Sequence, residues 1–392
     1  MSGLTVHQKA ATRRMTYYPG RLRDQSAYSE GLREASGSHV RMRNCPRHEQ
    51  WRLPRIQLLL ERRAEIEAEL ARQVRRVSES FGARLVLRGE ERAESIESDS
   101  FSDRRYCSSL RLAIMGAGAP ARVEERPLPN SPADLLQLLD DTVTQFLVRA
   151  SEVRRARGSV DLNELGCVLL RPKVAGQFFH ETVGHLLEAD TYRYVSGMVR
   201  DRPVCERITY EDRVTGYEET VGLNRVDDDG VPLLPVTLLA GGHLVDTIRT
   251  QSYDDGRAKL CGFARAQSFL HPCLPRMRVS VVRPWTGPNC ALPRKLVVVD
   301  TAYNGTVSPA TFRYVLRCGG YLEVDGERRG VFPDLRVSGD LFGALADVPH
   351  IGNDVAVFSS DCFKKGQIVR VAYGSPSIAL QGQTVQGRMF RL

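Results

Sequence analysis

The stretch Gly176-Gln-Phe-Phe-His-Glu-Thr-Val-Gly-His-Leu-Leu-Glu-Ala-Asp190 lies just inside the part of the chain, from Leu162 onward, where the character changes. Downstream of it, short apolar runs recur with Pro and Gly between them: Val236–Leu239, Val279–Val282, Leu296–Val299, Tyr314–Leu316, Val355–Phe358 and Ile368–Val371. That spacing predicts a β-rich, mainly antiparallel unit. Upstream, apolar residues recur every three or four positions from Pro54 to Phe81, the pattern of an amphipathic helix. Arg63 and Glu67, and Glu69 and Arg72, lace its outer face. A second helix is expected over Ser131–Arg155, opened by Ser131 with Pro132 in its first turn. Two strand-like runs, Ala83–Arg88 and Ser109–Ile114, lie between the helices and are separated by the polar stretch Glu90–Arg105. The expected class is α+β. An α/β N-terminal domain with long helices (51–160) precedes a mainly antiparallel, barrel- or sandwich-like C-terminal domain (161–392). Residues 1–50 are polar and aperiodic and are expected to be weakly ordered.

Composition narrows the function. Of 392 residues, 42% are hydrophobic and 26% charged, as in ordinary globular proteins, which excludes disordered and collagen-like chains. No stretch nears the roughly 18 apolar residues of a membrane span. Residues 1–50 carry five of the eight net positive charges, and only six of 55 basic residues are lysine. Nucleic-acid binding is therefore a minor expectation, confined to that segment. Nine cysteines, scattered and without a Cys-x-x-Cys pair, indicate a reducing cytoplasm. No secretory h-region follows Met1.

His180, Glu181 and His185 form the one arrangement with evident chemistry. Zinc-peptidase helices normally space their histidines by four, leaving the rings about 40° apart on one face. A step of five opens that to about 140°. Both rings can face one ion only if the helix widens into a π-bulge or breaks near Gly184. A third ligand is needed, and Cys362 is the best candidate, in an expected turn where Lys364 and Lys365 would favour the thiolate. Cys107, Cys167, Cys205 and Cys318 read as core.

The His-Glu-x-x-x-His stretch followed by Leu-Glu-x-Asp resembles the TldD/PmbA metallopeptidase family, specifically its zinc-bearing TldD-type subunits. The resemblance extends through Asp227-Asp-Asp-Gly-Val-Pro232, Leu274-Pro-Arg-Met277, Ile351-Gly-Asn-Asp354, Cys362-Phe-Lys-Lys-Gly-Gln367 and Gly374-Ser-Pro376. It implies a two-domain protein with zinc (Zn²⁺) held by His180, His185 and Cys362 and with Glu181 as general base. It also implies a substrate that is an unfolded or small peptide, or a peptide-derived natural-product precursor. The expected assembly is a dimer, either with itself or with a TldE/PmbA-type relative. The alternative is a non-catalytic or structurally metallated subunit of such a complex. Two imidazoles and a thiolate leave the zinc centre at net +1, a weak Lewis acid that needs a base beside it. Glu188 and Asp190 are either partners that orient an imidazole N–H or the polar end of the helix. The chain departs from the family pattern at Leu186, Phe363, Lys365, Arg278-Val279 and Cys261-Gly-Phe-Ala-Arg265. Ligands retained among altered loops imply a specialised substrate.

Overall fold

The structure, a computed structural model, describes residues 5–18, 21–34, 40–42, 53–97, 101–116, 119–155, 167–256, 258–387 and 390–391. The first unit is an antiparallel sheet of β1 (Thr5–Tyr18), β2 (Arg21–Glu34), β3 (Val40–Met42), β4 (Arg84–Glu97), β5 (Ser102–Gly116) and β6 (Ala119–Arg126), in the order β3-β2-β1-β4-β5-β6. Helices α1 (Pro54–Glu61), α2 (Arg63–Phe81) and α3 (Pro132–Arg155) cover one face. Their apolar stripes close a core in which Ile66, Leu70, Leu87, Leu112, Leu139 and Phe146 are buried. The Ser131 hydroxyl accepts the amide of Asp134 at 3.1 Å and so caps α3 as the sequence predicts. The helix expected over Pro54–Phe81 is divided at Arg62, whose φ of −108° and ψ of 35° break the helical path.

Two expectations for this unit need correction. Residues 5–18 and 21–34 are not weakly ordered but form strands, β1 pairing with both β2 and β4. Among their described side chains, Met15, Tyr17 and Leu22 are buried in the core. Glu90–Arg105 is likewise no separator: β4 and β5 run through most of it. From Ala93 to Ile96 the strand is buried at every residue, because the second unit covers its far face. Arg105 is buried there, ion-paired with Asp103 and Asp228 and donating to the carbonyls of Val226 (2.6 Å) and Asp227 (2.8 Å). Charge satisfied across a seam leaves no hydrophobic alternation to read. The boundary expected near 160 lies outside the described residues.

The second unit has two larger sheets. One comprises β8 (Tyr210–Asp212), β9 (Val236–Ala240), β10 (His243–Leu244), β13 (Val279–Val282), β18 (Ala356–Lys364) and β19 (Gln367–Ser375), in the order β10-β9-β8-β13-β19-β18. The other follows β17 (His350–Ile351), β20 (Ile378–Gln381), β7 (Cys167–Leu170), β14 (Lys295–Val307), β15 (Arg313–Val324), β16 (Glu327–Asp340) and β21 (Thr384–Gly387), with β22 (Phe390–Arg391) also on β16. Pairing is antiparallel apart from β13 with β19 and β7 with β14. Neither sheet closes into a barrel. A short ribbon of β11 (Ala264–Arg265) and β12 (Leu274–Pro275) and small helices α7 (Glu218–Val221) and α8 (Leu341–Ala346) complete the unit. The helical segment α4 (Pro172–Phe179) lies between the sheets, and Val174, Ala175, Phe178 and Phe179 join strand residues such as Val297 and Leu316 in one core. Among the described residues no helix is long and apolar enough to cross a membrane.

Candidate metal centre

Helix α4 starts at Pro172, whose missing N–H costs nothing in a first turn. After Phe179 the helix widens. The amide of His185 reaches the carbonyl of His180, five residues back, and His180–Gly184 forms one π-turn before α5 (His185–Leu187) resumes. The Thr182 hydroxyl donates to the Phe178 carbonyl at 2.6 Å and braces the start of the turn. Gly184 is where the turn meets its neighbour. A Cβ there would stand 1.9 Å from Met277 Sδ and 2.7 Å from Met277 Cε. The widened turn brings His180 and His185 to one side, with ring centroids 5.0 Å apart and planes at 74°. Glu188 then leaves the helical path (ψ 125°), and α6 (Ala189–Val199) follows.

Cys362 comes from the opposite direction. It sits on strand β18 rather than in the turn the sequence suggested. The turn is the following pair, Lys365-Gly366, with φ of 48° and 79°. Two positive φ values in a two-residue hairpin mark a type I′ turn, whose twist suits the strands. The thiol lies 3.4 Å from His185 Nε2, and the donor atoms of His180, His185 and Cys362 all fall within 4.8 Å of one another.

The surroundings hold each donor in place. Glu188, fully buried, accepts from His185 Nδ1 at 2.7 Å, so the other ring nitrogen is presented to Cys362. The Lys364 ammonium reaches Glu188 Oε2 and Asp190 Oδ1, both at 2.6 Å, and Lys365 reaches Asp190 Oδ2 at 2.7 Å. The two lysines thus lock the hairpin tip onto α6. Burial by itself would raise Cys362; the His180 and His185 imidazoles overcome it and bring the thiol down to about 5. Burial also opposes a charge on Glu188, yet His185 and Lys364 hold it at about 2. Arg276, buried, donates to the carbonyl of Cys362 and fixes the strand.

The donor set fits zinc on two counts. Both ring nitrogens of His180 are buried with no hydrogen-bond partner, and a bound cation would remove that cost at one of them. A tetrahedral zinc with one nitrogen and one sulfur ligand separates those atoms by about 3.6 Å, close to the 3.4 Å between His185 Nε2 and Cys362 Sγ.

The site opens into a cleft of about 1400 Å³ between the two units. One wall is β6 with α3; the other is residues 300–306 of β14 with β18, and Glu181, Cys362 and Tyr373 lie between them. Both β6 and β18 are edge strands of their sheets. Glu181 enters the cleft with Oε2 3.7 Å from His185 Nε2, and Gly305 allows the approach, since a Cβ there would be 3.2 Å from Glu181 Cβ and Cγ.

All six residues singled out from the sequence therefore meet: His180, His185, Cys362 and Glu181 at the centre, Glu188 in contact with His185, and Asp190 one lysine away. Sequence reasoning missed Lys364 as a link between carboxylates, Arg276, and Tyr373, which lies beyond the apolar run Ile368–Val371. Of the four cysteines read as core, Cys167, Cys205 and Cys318 are buried and Cys107 is half-buried.

Comparison with known proteins bears on this geometry. The PmbA/TldA metallopeptidase C-terminal domain matches residues 166–387. A zinc metalloprotease TldD homolog of Saccharolobus solfataricus is 28% identical over 293 residues, covering 71% of this chain and 65% of the relative. A metalloprotease of Methanocaldococcus jannaschii is 28% identical over 217 residues, 53% of this chain and 48% of that one. The chain thus spans less than two thirds of the length of these curated relatives. In fold, the crystal structure of TldE from Thermococcus kodakarensis matches with a TM-score of 0.68 at 12% identity, covering 100% of this chain and 97% of that one.

Proposed function

Because the chain belongs to the PmbA/TldD metallopeptidase family, we propose that it is a zinc-dependent peptidase. Its substrate on this reading is an unfolded or small peptide, or a peptide-derived natural-product precursor, and one amide bond is hydrolysed. The observation that carries the reading is the meeting of His180, His185 and Cys362 beside Glu181 at the wall of a cleft. Zinc held by those three side chains would polarise the scissile carbonyl and bring the pKa of water toward neutrality. Glu181 takes the proton of the attacking water and returns it to the amine nitrogen as the C–N bond breaks. Glu188 keeps His185 Nδ1 engaged so that Nε2 faces the donor cluster. The open edge of β18 offers backbone N–H and C=O groups to an extended chain, so a substrate strand gains affinity without sequence. Phe363, 70% exposed on the cleft rim, supports a narrower preference for apolar side chains.

The reading includes dimer formation, with a second copy or with a TldE-type partner, and a reducing cytoplasm in which Cys362 stays a thiolate. The test is Glu181→Gln against a pool of unstructured peptides read by mass spectrometry. Loss of cleavage by at least a hundredfold at unchanged zinc content is expected. Full turnover in that variant would overturn the assignment. One zinc per chain with no cleavage by the wild type, alone or with a TldE-type partner, would favour a structurally metallated subunit.

A further inference from the structure

Tyr373 has no part in the reaction described so far, yet its placement matches a need of that reaction. On the β18–β19 hairpin, Phe358 pairs with Tyr373, Ser360 with Val371, and Cys362 with Val369. Alternate residues share a face, so Tyr373 projects from the same face as Cys362. Its ring stands 5.6 Å from that of His180, tilted by 45°. On the other side α4 presses in at Gly176, where a Cβ would be 3.0 Å from Tyr373 Cδ2. The ring is thereby clamped, 5% exposed, between helix and strand. Its hydroxyl turns toward Ser360, the residue on that face between Phe358 and Cys362. Tyr373 lines the cleft together with Glu181 and Cys362.

Hydrolysis of an amide places negative charge on the carbonyl oxygen as water adds, and the three donors and Glu181 include no hydrogen-bond donor for it. Two cations of the cleft are engaged elsewhere. Lys173 donates to the Val123 carbonyl at 3.1 Å, and Arg149 lies 3.6 Å from Asp300. We propose that the Tyr373 hydroxyl donates a hydrogen bond to the scissile carbonyl oxygen as that oxygen gains charge. Burial pushes the Tyr373 phenol above its ordinary value, so it keeps its proton at neutral pH and is a competent donor. No proton leaves Tyr373 in this step; the water's proton goes to Glu181 and then to the amine. The ring's clamping matters because such donors act by being placed beforehand, each contributing about 10²- to 10³-fold in rate.

The inference rests on the peptidase reading, and its test separates the two. Tyr373→Phe keeps the ring and removes only the hydroxyl. On the peptide pool, kcat should fall at least tenfold with KM within twofold, at wild-type zinc content and Tm. A phosphinic peptide, whose tetrahedral oxygens imitate the charged carbonyl, should bind the variant at least tenfold more weakly by calorimetry. A plain peptide should bind equally well to Glu181→Gln with and without Tyr373→Phe. A variant that loses neither kcat nor phosphinic-peptide affinity overturns the role of Tyr373 and leaves the peptidase reading standing. A wild type that neither cleaves the pool nor binds the phosphinic peptide overturns both.

Discussion

Gly184→Ala tests the origin of the widened turn most directly. The added methyl would lie 1.9 Å from Met277 Sδ, roughly half an ordinary contact distance, and 3.1 Å from the Tyr210 hydroxyl, slightly short of one. Met277 is 1% exposed and accepts from the Tyr210 hydroxyl at 3.6 Å, so its thioether has no empty space to enter. Overpacking of this kind costs about 1–3 kcal/mol, or roughly 2–12 °C in Tm for a unit of this size. The strain falls on the residue joining the π-turn to His185, so zinc affinity should drop with stability. Calorimetric unfolding and zinc content by elemental mass spectrometry read both effects. Combining Gly184→Ala with Met277→Ala should restore part of each, with a coupling of about 1 kcal/mol or more, because the deleted side chain vacates the space the methyl needs. An unchanged Tm and zinc content in Gly184→Ala would refute the argument that close approach to Met277 requires glycine.

Three further outcomes are expected. Wild-type protein should carry about one zinc per chain, lost in both Cys362→Ala and His185→Ala, and chelation should lower its Tm by mass action. Lys364→Met should destabilise the fold by about 3–5 kcal/mol in urea titration, since Glu188 and Asp190, both fully buried, lose their shared cation; Lys364→Met with Glu188→Gln should recover part. Asp227 is pushed up to about 7 by burial and by Asp229 beside it, so between about pH 4 and 7 the folded chain holds a proton that the unfolded chain has released. Stability from this group is thus full below pH 4, declines as pH rises to 7 and is level above; the Tm–pH curve of Asp227→Asn should lack that decline.

Much of the candidate site was legible because its chemistry is written in residue type and spacing. The five-residue step between His180 and His185 cannot serve one ion from a regular helix, and the chain resolves it with a π-turn ending at Gly184. What stayed hidden depended on partners far along the chain. Lys364 reads as a cation beside a thiol until Glu188 and Asp190, 176 and 174 residues away, are seen to claim it. Tyr373, past the end of the apolar run Ile368–Val371, carries no signal until His180 lies against it. In the fold, periodicity found the helices and the apolar strands but not β1, β2 or the far half of β4, where pairing to a neighbour and buried charge replace alternation. Arg278 is a similar case. Its guanidinium is fully buried, bonds Asp212 at 2.8 Å and stacks 4.0 Å over the Phe263 ring. Two departures 15 positions apart are therefore one packed pair.

His185 and Cys362 stand 177 positions apart, with most of the second unit between them. An ion shared by the two acts as a removable cross-link around that span. By the loop-closure relation, a permanent link of this length would restrict the unfolded chain by about 5 kcal/mol. Metal loss would therefore release a large loop as well as disable chemistry, so inactivation by chelators and susceptibility to proteolysis should rise together. The same separation sets an order of events during synthesis. A growing chain that has not reached residue 362 already carries both imidazoles and the Glu181 carboxylate but lacks the thiolate. On the peptidase reading, a chain built this way stays silent until its own last donor has been made.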